Sequence, residues 1–266
     1  MNKITCKQNP ARPGNHQTGF SLIELMVAIL IGLFITLGLS QVFLSMYSTS
    51  QSQTTLSQFQ NNQKTSIVLL SNTVQLGGYF AAPPTSINYA ATALPAVTNP
   101  GDGSTFIAGA GIVGTTGTGT PRQDTLNIYY QTSGSDNVFN CQGGTATITT
   151  PTPTYTTFIN SFAINANNQL TCTVSTNGGT PNTALVLANN IQNMTVSYAV
   201  DTTGGTADTT NAYMTAAQVG TSNMWPNVRA VQITLNFCTS NVMNPASTSC
   251  ASVTPWVQTI NLMSKS

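Results

Sequence analysis

Glu24 is the residue whose position asks for chemistry. It lies in Gly19-Phe20-Ser21-Leu22-Ile23-Glu24-Leu25-Met26-Val27-Ala28-Ile29-Leu30-Ile31-Gly32-Leu33-Phe34-Ile35, and from Leu25 onward no charge appears until Lys64. A lone charge in such an apolar run costs on the order of 2.5 kcal/mol or more inside a bilayer unless a partner meets it. The chemistry is therefore ion pairing: a buried acid in such a run is tolerated when a cation meets it. Other reactive types are sparse. His16 is the only histidine, so Ser-His-Asp or Cys-His catalysis has no base downstream of the apolar run. Asp102, Asp124, Asp136, Asp201 and Asp208 are scattered among turn-forming residues, not paired as an acid–base couple would be. Five cysteines occur, Cys6, Cys141, Cys172, Cys238 and Cys250, none in the Cys-x-x-Cys spacing of a zinc site.

Positioning Glu24 requires a helix, and the surrounding sequence predicts one. The apolar run continues as far as Val42 through Met46, long enough for a bilayer that needs roughly 20 apolar residues. Residues 1–19 carry Lys3, Lys7 and Arg12 and no acid, which marks that end as cytoplasmic and sends the rest of the chain to the periplasm. A secretory signal peptide has its small-residue cleavage site after the apolar region. Here the stretch Ala11-Arg12-Pro13-Gly14-Asn15-His16-Gln17-Thr18-Gly19 precedes it, so the hydrophobic segment stays with the protein as a stem. Beyond it Leu56, Phe59, Gln63, Ile67, Leu70 and Val74 recur at helical spacing with one apolar face, the pattern of a helix packed on a globular core. Gly77-Gly78 is a carboxy-terminal cap, and a helix from about Phe20 to Leu76 is about 85 Å long. Gly32 and Gly38 suit bending or close packing among membrane helices.

The remainder reads as an exported, neutral domain. Only 5% of residues are charged and the net charge is +1. With no basic patch, direct nucleic-acid binding through phosphates is not expected of this subunit. Between Ala81 and Gln123 prolines and glycines predict mostly loop, including Gly114-Thr-Thr-Gly-Thr-Gly-Thr-Pro121, which lacks the Gly-Lys-Ser/Thr ending of a phosphate loop. Asp102 in Pro-Gly-Asp-Gly reads as a turn residue rather than a calcium ligand. Asp201 and Asp208 flank a Gly-rich tip; solvated turn residues are preferred there over a calcium site. From Asp124, alternation predicts strands at Thr125–Tyr130, Ser161–Asn165, Gln169–Val174, Asn193–Val200 and Ala230–Phe237, with turns at Asn177-Gly178-Gly179 and Thr203-Gly204-Gly205. The expected fold is α+β: a long amino-terminal helix, its first half transmembrane, packed on an antiparallel β-sheet head with long loops.

Gly-Phe followed by Ser-Leu-Ile-Glu-Leu and about twenty apolar residues resembles the amino terminus of type IV pilins. The resemblance implies that a prepilin peptidase cuts between Gly19 and Phe20 and methylates the new amine of Phe20, while Glu24 faces the terminal amine of a neighbouring subunit. Further along, the chain resembles the PilW family of minor pilins: Asn61 to Leu70 with Gly77-Gly78-Tyr79, Asp124 to Tyr130, Leu187 to Asp201, and Tyr213 with Trp225 to Leu235. Lys64 stands where relatives often carry Arg. The divisions implied are a leader at 1–19, a transmembrane and assembly half of the helix at 20–46, an amphipathic half at 47–78, and a periplasmic head at 79–266. The function implied is that of a non-enzymatic minor pilin, without cofactor or metal, which primes assembly or belongs to the tip complex. Its partners on this reading are the major pilin and other minor pilins, the peptidase, the inner-membrane assembly platform and the inner membrane. The alternatives are a minor pseudopilin of type II secretion and a pilus-borne adhesin.

Cys6 falls in the leader, leaving Cys141, Cys172, Cys238 and Cys250 in an oxidising compartment. Three pairings are open. Cys141 with Cys172 and Cys238 with Cys250 is preferred, because each joins chain neighbours beside a predicted strand.

Overall fold

The computed structural model describes residues 19–81, 89–146, 155–203, 210–238, 250 and 253–263. The leader, Pro83-Pro84, Gly204-Gly205, Asp208 and Lys265 lie outside them, as do the side chains of Leu56 and Phe59. The chain forms two compact units that divide between Gln58 and Phe59.

Helix α1, Leu22–Gln75, begins in the first unit and ends in the second. No proline occurs between Pro13 and Pro83, so no backbone donor is lost along the way. Its first unit is apolar and exposed: Leu22–Thr54 has a mean hydropathy of 2.6 and is 0% buried. Those 33 residues span about 50 Å at 1.5 Å each, more than the roughly 30 Å of a hydrocarbon core. The polar stretch that follows Met46 is rich in Ser and Thr, poor helix formers, and there the hydroxyls bond back to the preceding turn, as from Thr49 to the Ser45 carbonyl at 2.9 Å and from Ser52 to that of Ser48 at 3.0 Å.

The second unit is a two-sheet sandwich. After α1 come α2 (Tyr89–Ala93), β1 (Val97–Thr98), β2 (Thr105–Phe106), β3 (Ile112–Thr115), β4 (Thr125–Thr132), β5 (Thr156–Ile164), β6 (Leu170–Thr176), β7 (Leu185–Ala188), β8 (Ile191–Val200), β9 (Ala212–Met214), α3 (Ala216–Thr221), β10 (Val228–Cys238) and β11 (Val253–Asn261). The sheets run β3-β4-β5-β6-β7 and β11-β10-β8-β9, antiparallel throughout, with β1-β2 a separate pair. Leu126, Ile128, Phe158 and Phe162 of the first sheet and Met194, Val196, Ile233 and Leu235 of the second belong to one buried cluster. Alternation explains the placement, since every second residue on each strand turns to that core. The α+β class is as expected, and the expected sheet is two sheets.

The amphipathic end of α1 meets both of them. Leu70 and Val74 are fully buried in the core, worth about 1.5–3 kcal/mol each. The Ser66 hydroxyl donates to the Leu187 carbonyl of β7 at 2.6 Å, and that of Ser71 to Gln258 Oε1 of β11 at 3.3 Å. Each sheet thus has an edge strand tied to the helix, which protects strands that would otherwise be open to pairing. The helix stops at Gly77-Gly78, where Gly78 takes φ 83° and the Gly77 N–H donates to the Val74 carbonyl at 3.0 Å.

Two regions differ from the sequence reading. Residues 81–123 contain α2 and β1 to β3, and Gly114-Thr115, the start of the supposed loop tract, closes β3. Elements of two to five residues are too short to show a period. Phe106 packs at a tilt of 51° against Tyr129 of β4 with centroids 5.2 Å apart, so β2 lies against the five-stranded sheet. The strand β11 contains Pro255, which argues against a strand by sequence; it is an edge strand, where the missing donor costs no ladder bond.

Candidate functional site

The first unit holds the motif residues within two turns. Gly19, Phe20 and Ser21 precede the helix, and the Glu24 and Leu25 N–H groups donate to the Ser21 carbonyl at 3.0 and 3.2 Å, closing the first turn. Glu24 is the acid of that turn, where a carboxylate is favoured by the helix dipole. Around it Phe20 is 82% exposed and Leu22 77%. A carboxylate at the start of an exposed apolar helix can do one thing well: accept a cation brought by another molecule once the stem is dehydrated.

In the second unit the carboxylates among the described residues are each engaged by their own turn or clamp. Asp124, at the entrance of β4 and 2% exposed, accepts from Gly117 N at 2.9 Å, Val196 N at 2.8 Å and Arg122 Nη2 at 2.7 Å. One side chain thereby joins the β3–β4 connection to β8 of the other sheet, and its charge is met by Arg122. Asp102 accepts from Asn99, Ser104 and Asn127 side chains at 2.9, 2.7 and 2.6 Å, pinning the β1–β2 turn to the sheet. Asp201 accepts from the Thr203 N–H at 2.9 Å and hydroxyl at 2.6 Å. Among the described residues, no three His, Cys, Asp or Glu side chains come together as a metal set.

Sequence reading missed the part played by Asp136. It accepts from Thr132, from Ser133 N at 3.2 Å and from the Tyr79 hydroxyl at 3.2 Å, so the segment leaving α1 is fastened to the end of β4. Burial pushes its carboxyl up, but these hydrogen bonds outweigh burial and hold it below the usual aspartate range. Burial, with the nearby Asp136 charge adding to it, raises the Tyr79 phenol. A Ser-Gly-Ser-Asp turn after a strand is the only local signal; Tyr79 lies 57 positions away.

The cysteines form two bonds, Cys141 to Cys172 and Cys238 to Cys250, with Cα atoms 6.4 and 5.7 Å apart. The first is buried beside Asn160 of β5, whose side-chain oxygen accepts from Cys141 N at 2.8 Å. The second starts at the end of β10. Trp225 packs edge-on against Tyr198 of β8, centroids 5.0 Å apart at 86°, which gives the Trp225-to-Leu235 segment its anchor between α3 and β10.

Two family matches accompany this geometry. Residues 14–40 match the prokaryotic N-terminal methylation motif, and residues 156–261, from β5 through β11, match the type IV pilus-assembly protein W family. No curated protein and no solved structure matches the chain. The methylation motif around Glu24 and the assembly-protein match across the strands of the second unit together support a PilW-family protein of the type IV pilus.

Proposed function

We propose that this chain is a minor pilin: a structural subunit, cut between Gly19 and Phe20 and methylated at Phe20, that joins other minor pilins to prime pilus assembly or to form part of the tip. In this reading residues 20–46 hold it in the inner membrane, the head faces the periplasm until the pilus carries it outward, and its partners are the prepilin peptidase, the assembly platform, other minor pilins and the major pilin. The observation that carries the reading is Glu24, one acid at the head of a 33-residue apolar exposed helix. Deleting that acid removes a desolvation cost from insertion, on the order of 2.5 kcal/mol. It can harm only a process in which the carboxylate meets a cation, and the amine of a neighbouring stem is such a cation.

The test is Glu24→Ala in cells whose only copy is the variant. Membrane fractions should hold as much protein as wild type, or more, while co-precipitation with other pilins and pilus counts fall. Mass spectrometry of the same fractions should give a chain beginning at methylated Phe20. Undiminished assembly of the variant, or an uncut amino terminus in native membranes, overturns the proposal.

A further inference from the structure

Gln41 is the one amide in the apolar run of α1. From Leu25 to Met46 the hydrogen-bonding side chains are Thr36, Ser40, Gln41 and Ser45. The Thr36 hydroxyl donates to the Leu33 carbonyl at 3.0 Å and that of Ser40 to the Thr36 carbonyl at 2.7 Å, so both are met by their own helix. The Gln41 amide, which carries both donors and an acceptor oxygen, has no side-chain hydrogen bond among the described residues. Its depth follows from the helix. Tyr47 begins the polar stretch and marks a membrane interface, where tyrosines gather. Gln41 lies about 9 Å before it along the axis, within the apolar run. Helical side chains lean toward the amino terminus of their helix, so the amide is directed away from the Tyr47 interface and deeper into the run. Hydrocarbon neither donates nor accepts, and an amide held there is stabilised by a second helix that does both.

We propose that Gln41 is a contact between stems, pairing with Gln41 of a second copy of this chain in the membrane. The proposal rests on the reading of residues 20–46 as membrane-spanning. A second copy inserted in the same bilayer runs parallel to the first and carries its Gln41 at the same depth. Because an amide both donates and accepts, the two side chains complement each other with no charge to balance. Glu24 cannot pair in this way, since two ionised carboxylates brought together repel. The surroundings of Gln41 permit the approach. Gly38 and Ser45, three residues before it and four after, lie on its side of the helix. A Cβ at Gly38 would meet nothing within 4 Å, and small residues at such positions let two backbones come close enough for the amides to touch. At 3.6 residues per turn, the 17 positions from Glu24 to Gln41 leave the two side chains about 100° apart round the helix. The two polar groups of the stem therefore address different neighbours, Glu24 the amine of an adjoining pilin and Gln41 a copy of its own chain.

The association is read by sedimentation equilibrium of the purified full chain in density-matched zwitterionic detergent. Neither cleavage nor pilus counts enter that measurement, so it can fail while the Glu24 proposal stands, and the reverse. Wild type should form a reversible dimer. Gln41→Leu, which keeps the helix and removes the amide, should weaken the dimer about three- to tenfold. Thr36→Val, about 140° round the helix from Gln41 and bonded to its own backbone, should leave it unchanged. Circular dichroism in the same micelles checks that both variants keep the wild-type helix content. A wild-type chain that stays monomeric, or that is monomeric alone and associates only with the stem of a different pilin, overturns the proposal. So does a Gln41→Leu dimer as tight as wild type, or a loss on Thr36→Val as large as that on Gln41→Leu.

Discussion

Replacing Gly111 by alanine tests the account of how α1 is joined to the sandwich. A Cβ at Gly111 falls 2.0 Å from the Gly78 nitrogen and 2.3 Å from its Cα. Both obstacles are backbone, so no side-chain rotation relieves them. Restoring ordinary contact at 3.4 Å requires the two strands of chain to part by about 1.4 Å. Three hydrogen bonds hold that crossing: Gly78 N to the Tyr129 carbonyl at 2.9 Å, Tyr129 N to that of Gly111 at 2.8 Å, and Gln131 N to that of Tyr79 at 2.8 Å. Parting by that distance breaks them or stretches them past useful length. At about 0.5–1.5 kcal/mol each, the loss is about 1.5–4.5 kcal/mol, on top of about 1–3 kcal/mol of packing strain. A total near 5 kcal/mol corresponds to a fall in melting temperature of about 10–20 °C for a domain of this size. The measurement is near-ultraviolet circular dichroism on heating the oxidised protein, with Gly103→Ala as reference. Gly103 has positive φ, 73°, but open space around it, so alanine there meets only local strain of order 1–3 kcal/mol. If Gly111→Ala melts within about 2 °C of wild type, or no lower than Gly103→Ala, the crossing is not what fastens the helix to the head.

The two cystines close loops of different length, with separations of 31 and 12 residues; on chain entropy alone they are worth about 3.7 and about 2.8 kcal/mol. Cys172→Ser should therefore lower the denaturation midpoint more than Cys250→Ser, and non-reducing peptide mapping that links Cys141 to Cys250 would contradict the pairing. Stability should respond to pH at both extremes and little between. Because the folded Asp136 carboxyl is held below its ordinary 3.8, its contribution is complete above that value and is lost as pH falls through the lower, folded one; Asp136→Asn should flatten the melting temperature against pH below about 4. At the alkaline end burial raises the phenols of Tyr130 and Tyr198, so their contribution is complete below their ordinary value and is lost above about pH 10, which thermal melts across that range will register.

The amino-terminal half of the helix was decided by its own residues. A dense apolar run within 69 proline-free positions can satisfy its backbone only within the segment itself, and Glu24 is anomalous whatever surrounds it. Long strands were equally legible: Ile191–Val200 and Val228–Cys238 alternate because one side of each faces a core, whereas Thr125–Thr132, legible by the same pattern, is buried from Leu126 through Thr132 on both of its faces. What the alternation does not contain is which strand lies beside which. Two sheets rather than one and the Asp124 clamp on Val196 across 72 positions both depend on register between distant segments. Gly111 shows the limit most plainly. In the sequence it is one glycine among 21; only when the chain leaving α1 crosses β4 beside it does the missing Cβ become a requirement, because the contact it permits is between backbones that no local pattern brings together.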